Sequence, residues 1–144
     1  MDEPADIVSD EFWQIIAEAK NEPRVLAGIL EDLSSDEMRH FYTEFQWASS
    51  QLQDARFIEF AAVEENGEDE DVSEDAIEDI ADWVVSQGKI YYSDVWHNPE
   101  LITRYREEIH ATHIGGVAPQ LYWARFQEPL ELDGDLCDEY DGMV

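Results

Sequence analysis

The sequence predicts a mostly α-helical protein, with a single compact domain of about six helices and an acidic, irregular C-terminal tail. Apolar residues recur at spacings of three and four in almost every periodic segment, and residues suited to cap helices precede these segments. The length of 144 residues and an aromatic content of 12% suit one domain with a substantial core. We place the helical domain at residues 9–127 and acidic flexible ends at residues 1–8 and 128–144.

Four helices are predicted in the N-terminal half. Ser9 is suited to cap the first of them, because a serine hydroxyl accepts from an amide of the first turn. Pro23 fits the first turn of a short second helix. Residues 34–37, Ser-Ser-Asp-Glu, have the pattern of a capping box and begin a longer third helix. Asp54 is expected to cap a fourth helix that continues to Val63.

Two more helices are predicted after an acidic segment. Ser73 is expected to cap the fifth helix, and Gly88 suits the left-handed residue that follows its end. An apolar stripe indicates the buried face of this helix; its members are Ile77, Ile80, Ala81, Val84 and Val85. Asn98 and Pro99 are a cap and a first-turn proline that open a sixth helix. Residues 121–126 fit either a short helix or a strand, so the structure of residues 117–127 stays open.

The net charge of −28 is extreme for a chain of this size. It argues against nucleic acid and anionic membranes as partners, because phosphate groups attract Lys and Arg. It favours basic proteins, polyamines or metal cations, and adaptation to high salt would also produce it. Cys137 is the single cysteine, the N-terminus lacks a secretory signal, and no apolar run approaches a membrane span. We therefore expect a cytoplasmic location and no disulfide.

Several short motifs form a spaced pattern along the chain. The main ones are, in order, Phe60-Ala61-Ala62, Asn66-Gly67, Ser73-Glu74-Asp75, Trp83-Val84-Val85-Ser86-Gln87-Gly88, and Asn98-Pro99 with Leu101. Phe12-Trp13 and the segment from Leu33 to Phe41 add to the pattern near the N-terminus. This pattern resembles the bacterial domain-of-unknown-function family 4240 over roughly residues 10–110. The resemblance implies a small, soluble helical domain without a settled activity.

Residues 64–82 contain eleven carboxylates and neither Lys nor Arg. Five of these carboxylates lie on the fifth predicted helix, which gives one charge per roughly 2.4 Å of axis at about 1.5 Å per residue. Duplex DNA carries one charge per about 1.7 Å, so this helix would resemble a phosphate backbone to a basic protein. A solvated face that keeps the protein soluble is the alternative interpretation. The predicted partner-binding residues are Glu68, Asp69, Glu70, Asp71, Glu74, Asp75, Glu78, Asp79 and Asp82.

A calcium loop is a weaker interpretation of the same segment. Asp69, Asp71 and Ser73 fit the first three ligand positions of an EF-hand loop. However, Glu74 occupies the position that requires Gly, and Ile80 occupies the position of the bidentate Glu. The sequence therefore predicts no calcium site.

Catalytic and metal-binding motifs elsewhere have little support. Two Glu-x-x-His pairs, Glu37/His40 and Glu107/His110, match part of a di-iron helix-bundle site, but a composition this rich in Glu produces such pairs by chance. Acidic neighbours raise the pKa expected for Cys137 and suppress its thiolate. We therefore predict no catalytic residue, no metal site and no cofactor.

These observations lead to a functional hypothesis. We expect a non-enzymatic binding protein that docks and inhibits a basic protein partner. Its most concrete form is an immunity-type inhibitor that mimics DNA and so blocks a nuclease toxin. Two alternatives stay open: a metal-dependent enzyme that uses the Glu-x-x-His pairs, and a housekeeping domain whose acids give solubility or salt tolerance.

Overall fold

A computed structural model describes residues 3–53, 74–101 and 114–131, apart from the side chains of residues 74–77 and 79. These residues form seven α-helices and a short 3₁₀ turn at residues 99–101, and they contain no strand. In chain order the helices are α1 (Pro4–Ile7), α2 (Asp10–Ala19), α3 (Pro23–Leu30), α4 (Ser35–Ser50), α5 (Glu74–Ser86), α6 (Lys89–His97) and α7 (Val117–Phe126). The predicted, mostly α fold class is confirmed.

Three predicted helix starts are confirmed by their local hydrogen bonds. The Ser9 hydroxyl accepts from the Phe12 N–H at 3.2 Å and caps α2. At the start of α4, Ser34 Oγ accepts from the Glu37 N–H at 3.2 Å, and Glu37 Oε1 accepts from the Ser34 N–H at 3.1 Å. This is a complete capping box. Pro23 occupies the first turn of α3, where its missing N–H costs no helical hydrogen bond.

Helix α4 lies at the centre of the packing. It contacts α5 and α7, while α3 contacts α2 and α7, and α6 contacts α1 and α5. Aromatic side chains join α2 to α4: the Phe12 ring centroid lies 5.2 Å from that of Phe41 and 6.2 Å from that of Phe45. Each such buried ring contributes roughly 1.5–3 kcal/mol to folding through the apolar surface that it removes from water.

The buried face of α5 agrees with the predicted apolar stripe. Ile80, Ala81, Val84 and Val85 are buried, and Glu78 is exposed. Ile77 belongs to the predicted stripe, but its side chain lies outside the described residues. These buried residues pack α5 against α4.

Gly88 separates α5 from α6 with a backbone conformation that side chains disfavour. Its φ of 105° is positive, as the sequence predicts, but its ψ of 173° lies outside the left-handed helical region. Helix α6 begins directly after it, at Lys89, in a segment for which the sequence predicts no helix. Glycine therefore allows two helices to meet without a loop.

The N-terminal end of the predicted domain differs from the structure. Residues 1–8 are predicted to be a flexible acidic end, yet Pro4–Ile7 form α1, with Ala5 and Val8 buried. The Trp13 indole N–H donates to the Ala5 carbonyl at 2.9 Å, which joins this turn to α2. At the other end, residues 121–126 are helical as part of α7, which answers the question that the sequence left open.

Arg125 on α7 satisfies the end of another helix. Its Nη1 donates to the carbonyl of Leu30 at 3.2 Å and to that of Leu33 at 2.8 Å. Carbonyls at the C-terminal end of a helix have no partner within the helix, so a cation there is favourable. Arg125 thereby joins α7 to the end of α3.

Some predictions concern residues that the structure does not describe. The fourth predicted helix from Asp54 and the Ser73 cap both lie outside the described residues. Asn98 follows the end of α6, and residues 99–101, the predicted first turn of the sixth helix, form a 3₁₀ turn. The remainder of that predicted helix lies outside the described residues. In the described part of the chain, no helix has the length and apolar character needed to cross a membrane.

Candidate functional site: an acidic cleft between α2 and α4

A cleft with a volume of about 460 Å³ lies between α2 and the N-terminal half of α4. Sites for small ligands and for single side chains typically occupy concave surfaces of this kind. The cleft is lined by Ser9, Glu11, Phe12, Ile15, Leu33, Asp36, Glu37, His40, Phe41 and Glu44. Its polar groups converge from the start of α2 and from successive turns of α4.

Glu44 is the buried carboxylate of this cleft. Its side chain is 1% exposed, although it carries a carboxyl group. Its Oε2 accepts from the Ser9 N–H at 2.8 Å, and its Oε1 accepts from the Ser9 hydroxyl at 3.0 Å and from His40 Nε2 at 2.5 Å. A buried carboxylate is tolerated when donors surround it in this way.

The position of Glu44 follows from two local features of the sequence. It lies three residues after Phe41 on α4, so the helix turns it toward the same side as the apolar stripe. Ser9 lies directly before α2, where the first amides have no helical partner and the helix dipole favours negative charge. The Ser9 hydroxyl accepts the capping bond from Phe12 and donates to Glu44, so one residue serves both contacts.

The remaining lining residues divide into apolar walls and an acidic rim. Phe12 and Phe41 are buried wall residues, and Ile15 and Leu33 are partly buried ones. The rim consists of the exposed carboxylates of Glu11, Asp36 and Glu37. Arg39 Nη1 lies 3.7 Å from Asp36 Oδ1, but this pair is solvent-exposed and contributes little. The cleft therefore combines apolar walls with a strongly negative mouth.

Ser9, His40 and Glu44 do not form a nucleophilic triad. In a Ser-His-acid triad the histidine lies between the serine and the carboxylate and accepts the serine proton. Here the carboxylate lies between the other two, and the Ser9 hydroxyl donates to Glu44. This arrangement holds the start of α2 against α4, and it differs from a triad because Ser9 and His40 both contact the carboxylate.

Two of the predicted partner-binding residues have described side chains, and they differ in their surroundings. Glu78 is exposed on α5, whereas Asp82 is half-buried and its Oδ1 accepts from the Ser49 hydroxyl at 2.6 Å. Both face Tyr42 of α4: burial first, and then the charges of Asp82 and Glu78, raise the pKa of Tyr42 above its usual 10.0. Asp82 therefore joins α5 to α4 in addition to carrying charge.

The other predicted partner-binding residues lie outside this description. Helix α5 includes the backbone of Glu74, Asp75 and Asp79, whose side chains are not described. Glu68, Asp69, Glu70 and Asp71 lie outside the described residues altogether. The predicted acidic docking surface on residues 64–82 thus stays a prediction.

Of the two predicted Glu-x-x-His pairs, only Glu37/His40 lies within the described residues. Glu37 completes the capping box with Ser34, and His40 contacts Glu44. Glu107, His110 and Cys137 lie outside the described residues. Among residues 3–53, 74–101 and 114–131, no three His, Cys, Asp or Glu side chains come together in a way that would hold a metal ion.

The cleft itself was missed by sequence reasoning, although one signal points to it. Glu44 follows Phe41 by three residues and precedes Ala48 by four, so it lies on the inward stripe of an amphipathic helix. A carboxylate on such a stripe requires donors from another element. The sequence does not show that Ser9, 35 residues earlier, supplies them.

The described residues define a small, mostly α-helical protein with a cleft whose mouth is acidic. The chain belongs to the family described as proteins of unknown function DUF4240, whose family model matches residues 8–125. That range includes every residue that lines the cleft, and it confirms the resemblance seen in the motifs. Neither the curated proteins nor the solved structures contain a match to this chain.

Proposed function

We propose that this protein is a non-enzymatic acidic binding protein that docks a basic protein partner and inhibits it. The observation that carries the proposal is the cleft, where the exposed carboxylates of Glu11, Asp36 and Glu37 surround apolar walls. Protein interfaces commonly combine an apolar centre with a polar rim. The net charge of −28 makes a basic surface the complementary one.

Charge and apolar surface have separate roles in such a complex. Exposed carboxylates increase the rate of association with a basic partner, and this effect fades as salt screens it. The apolar walls act after contact, because burial of the partly exposed Ile15 and Leu33 side chains against the partner slows dissociation. Glu78 on α5 adds a further exposed charge to the negative field of the protein.

The most concrete form of the proposal is an immunity-type inhibitor of a nuclease toxin, acting in the cytoplasm. A nuclease binds phosphate groups through Lys and Arg, so its active cleft is a basic concave surface. The charge spacing predicted for α5 is close to that of duplex DNA, which supports this class of partner. A toxin gene beside the gene of this protein is the expected genomic arrangement.

The first part of the test identifies the partner. Cross-linking in cells of the source organism, followed by purification in moderate salt, is expected to recover a basic protein. The recovered protein is then produced separately and mixed with this one at equal concentration. A stable one-to-one complex that abolishes a nuclease activity supports the immunity-type form, and full activity of the partner in the complex contradicts inhibition.

The second part compares two triple variants that remove the same charge. One variant neutralises the rim, by Glu11→Gln, Asp36→Asn and Glu37→Gln. The matched control neutralises exposed acids away from the cleft, and it carries Glu22→Gln, Asp94→Asn and Glu128→Gln. We expect the rim variant to slow association about tenfold at low salt and the control about twofold or less. Equal effects of the two variants would show that the charge acts without a docking site, which favours the housekeeping interpretation.

A further inference from the structure

Helices α3 and α7 are exceptions to the acidic character of the chain. Of the 144 residues 36 are Asp or Glu, yet neither Pro23–Leu30 nor Val117–Phe126 contains an acid. Each of the other five described helices carries at least one. The two acid-free helices pack against each other, and Arg125 of α7 bonds to the carbonyl of Leu30, 95 residues earlier. The fold therefore brings together two segments that share an unusual composition.

The outward sides of these two helices are apolar or uncharged, with one cation. The α3–α7 surface consists of the exposed residues Arg24, Val25, Gly28, Gln120, Trp123 and Ala124. Val25 is 45% exposed and Trp123 is 54% exposed, and Ile90 is the only other large apolar side chain exposed in the described residues. Tryptophan is enriched at protein interfaces, and exposed apolar residues on adjacent elements are typical of an interaction surface.

Charge indicates which partner suits this surface. A basic protein gains little there, because the surface offers no carboxylate to attract it. Two copies of this chain, each with a net charge of −28, repel each other most strongly where their carboxylates approach. Contact through an acid-free surface keeps those carboxylates apart, so a second copy meets the least repulsion here.

The residues in and around the surface are also complementary to themselves. Arg24 makes no ion pair with any described residue, and the exposed acids Glu22, Glu31 and Glu128 lie just beyond the ends of α3 and α7. Arg24 of one copy can therefore face these border acids of the other. An amide both donates and accepts, so Gln120 can bond to its own counterpart across a two-fold axis.

We propose that the protein forms a symmetric dimer in which the α3–α7 surface of one copy packs against that of a second copy, with Trp123 at the contact. None of these surface residues lines the cleft, so the proposal goes beyond the proposed function and does not depend on it. Helices of about 12 and 15 Å cover roughly 300 Å² together, which is less than the about 800 Å² per partner of a standard interface. We therefore expect a weak dimer, with a dissociation constant on the order of 0.1 mM.

The salt dependence of self-association is the first test, measured by sedimentation equilibrium on the wild-type protein up to about 1 mM. Salt shortens the screening length from about 10 Å at 0.1 M to about 3 Å at 1 M, so the dissociation constant is expected to fall at least about tenfold over this range. Docking of a basic partner has the opposite salt dependence, which separates the two proposals. A monomer at every concentration in about 1 M salt, or a dimer that weakens with salt, would overturn the inference.

A matched pair of variants tests the place of contact. Trp123→Gln removes the large exposed side chain of the α3–α7 surface, and it is expected to weaken the dimer at least about tenfold. The control is Ile90→Gln on α6, which removes an apolar side chain that is 82% exposed and is expected to leave the dissociation constant unchanged. Equal weakening by the two variants would show that no particular surface is used. Circular dichroism checks that both variants remain folded.

A second pair adds charge and keeps the helices intact, because Glu has nearly the helix propensity of Ala. Ala124→Glu places an acid on the α3–α7 surface, and Ile90→Glu places one elsewhere. We expect Ala124→Glu to weaken the dimer about tenfold in low salt and Ile90→Glu about twofold or less. Equal effects would assign the repulsion to net charge and contradict the proposed contact. The triple rim variant is expected to keep the dimer, and its loss there would place the contact at the cleft instead.

Discussion

Replacement of Glu44 by Gln tests whether the buried carboxylate holds α2 against α4. The change keeps the shape of the side chain but exchanges one acceptor oxygen for an NH₂ donor. If the NH₂ group takes the place of Oε2, it faces the Ser9 N–H, which lies 2.8 Å from that oxygen. If it takes the place of Oε1, it faces the Ser9 hydroxyl and His40, which both contact that oxygen. At least one buried donor loses its acceptor, so we expect a loss of about 2–4 kcal/mol in the free energy of unfolding.

Urea denaturation followed by circular dichroism measures this loss, and thermal unfolding is expected to shift downward on the order of 10 °C. The control is Glu37→Gln, because Gln still accepts from the Ser34 N–H and the expected change is below about 0.5 kcal/mol. A cycle with Ser9→Ala isolates the contact between the two residues, and we expect a coupling of about 1–2 kcal/mol. A loss at Glu44 that is no larger than that at Glu37 would refute the reasoning.

Three further predictions concern other parts of the fold. Ile80→Ala is expected to lower the free energy of unfolding by about 2–5 kcal/mol in urea, because Ile80 is 7% exposed; a loss below about half a kcal/mol would show that α5 buries another face. Gly88→Ala is expected to cost about 1–3 kcal/mol through backbone strain alone, since a Cβ there would meet nothing within 4 Å; a neutral result in the same assay would contradict the positive φ. The raised pKa of Tyr42 means that above pH 10.0 the unfolded chain releases the phenol proton before the folded protein does, so stability falls as the pH rises. Tyr42→Phe is expected to reduce this slope in alkaline urea titrations, and identical slopes would exclude Tyr42 as a source.

The local start signals of helices were predictable because each depends on a few adjacent residues. The Ser9 cap and the capping box of residues 34–37 use groups within three residues of each other, and Pro23 suits a first turn through its own fixed φ. The buried stripe of α5 was predictable for a related reason, since a spacing of three and four fixes one face of any helix. Sequence alone was therefore sufficient for the fold class.

Helices α1 and α6 were not predictable from the same signals. Helix α1 has four residues, which is too short for a helical period to appear, and its Ala5 is buried by contacts with later parts of the chain. Helix α6 follows Gly88 without a loop, and its fully buried apolar residues are Tyr92 and Val95. A glycine that ends one helix is normally followed by a connection, so the immediate restart depends on tertiary packing.

Acids were predicted to face solvent, and the structure divides them into two groups. Glu78 is exposed, as predicted, but Asp82 on the same helix accepts a hydrogen bond from Ser49 of α4. Glu44 was assigned no role, because the surrounding residues of α4 are apolar and the partner residue Ser9 is distant in sequence. Which carboxylate turns inward depends on where another element brings a donor, and local sequence does not contain that information.

Serine hydroxyls recur as the donors to acids that turn toward another element. Ser9 donates to Glu44 at 3.0 Å, Ser49 donates to Asp82 at 2.6 Å, and Ser93 donates to Glu3 at 2.6 Å. In each pair the two residues come from different elements, so the bond fixes the position of one element against another. A hydroxyl satisfies a carboxylate without bringing a positive charge.

The chain has eight Lys and Arg against 36 acids, so donors other than Lys and Arg reduce the number of basic residues that the fold needs. In the described residues, serine hydroxyls contact Glu44, Asp82 and Glu3, and histidines also contact Glu44 and Glu3. Arg125 meanwhile joins α7 to the end of α3. The surface keeps its negative charge, and its self-repulsion is confined to positions where water and salt screen it. The rim carboxylates Glu11 and Glu37 stay exposed at the cleft, where the proposed basic partner would meet their charge.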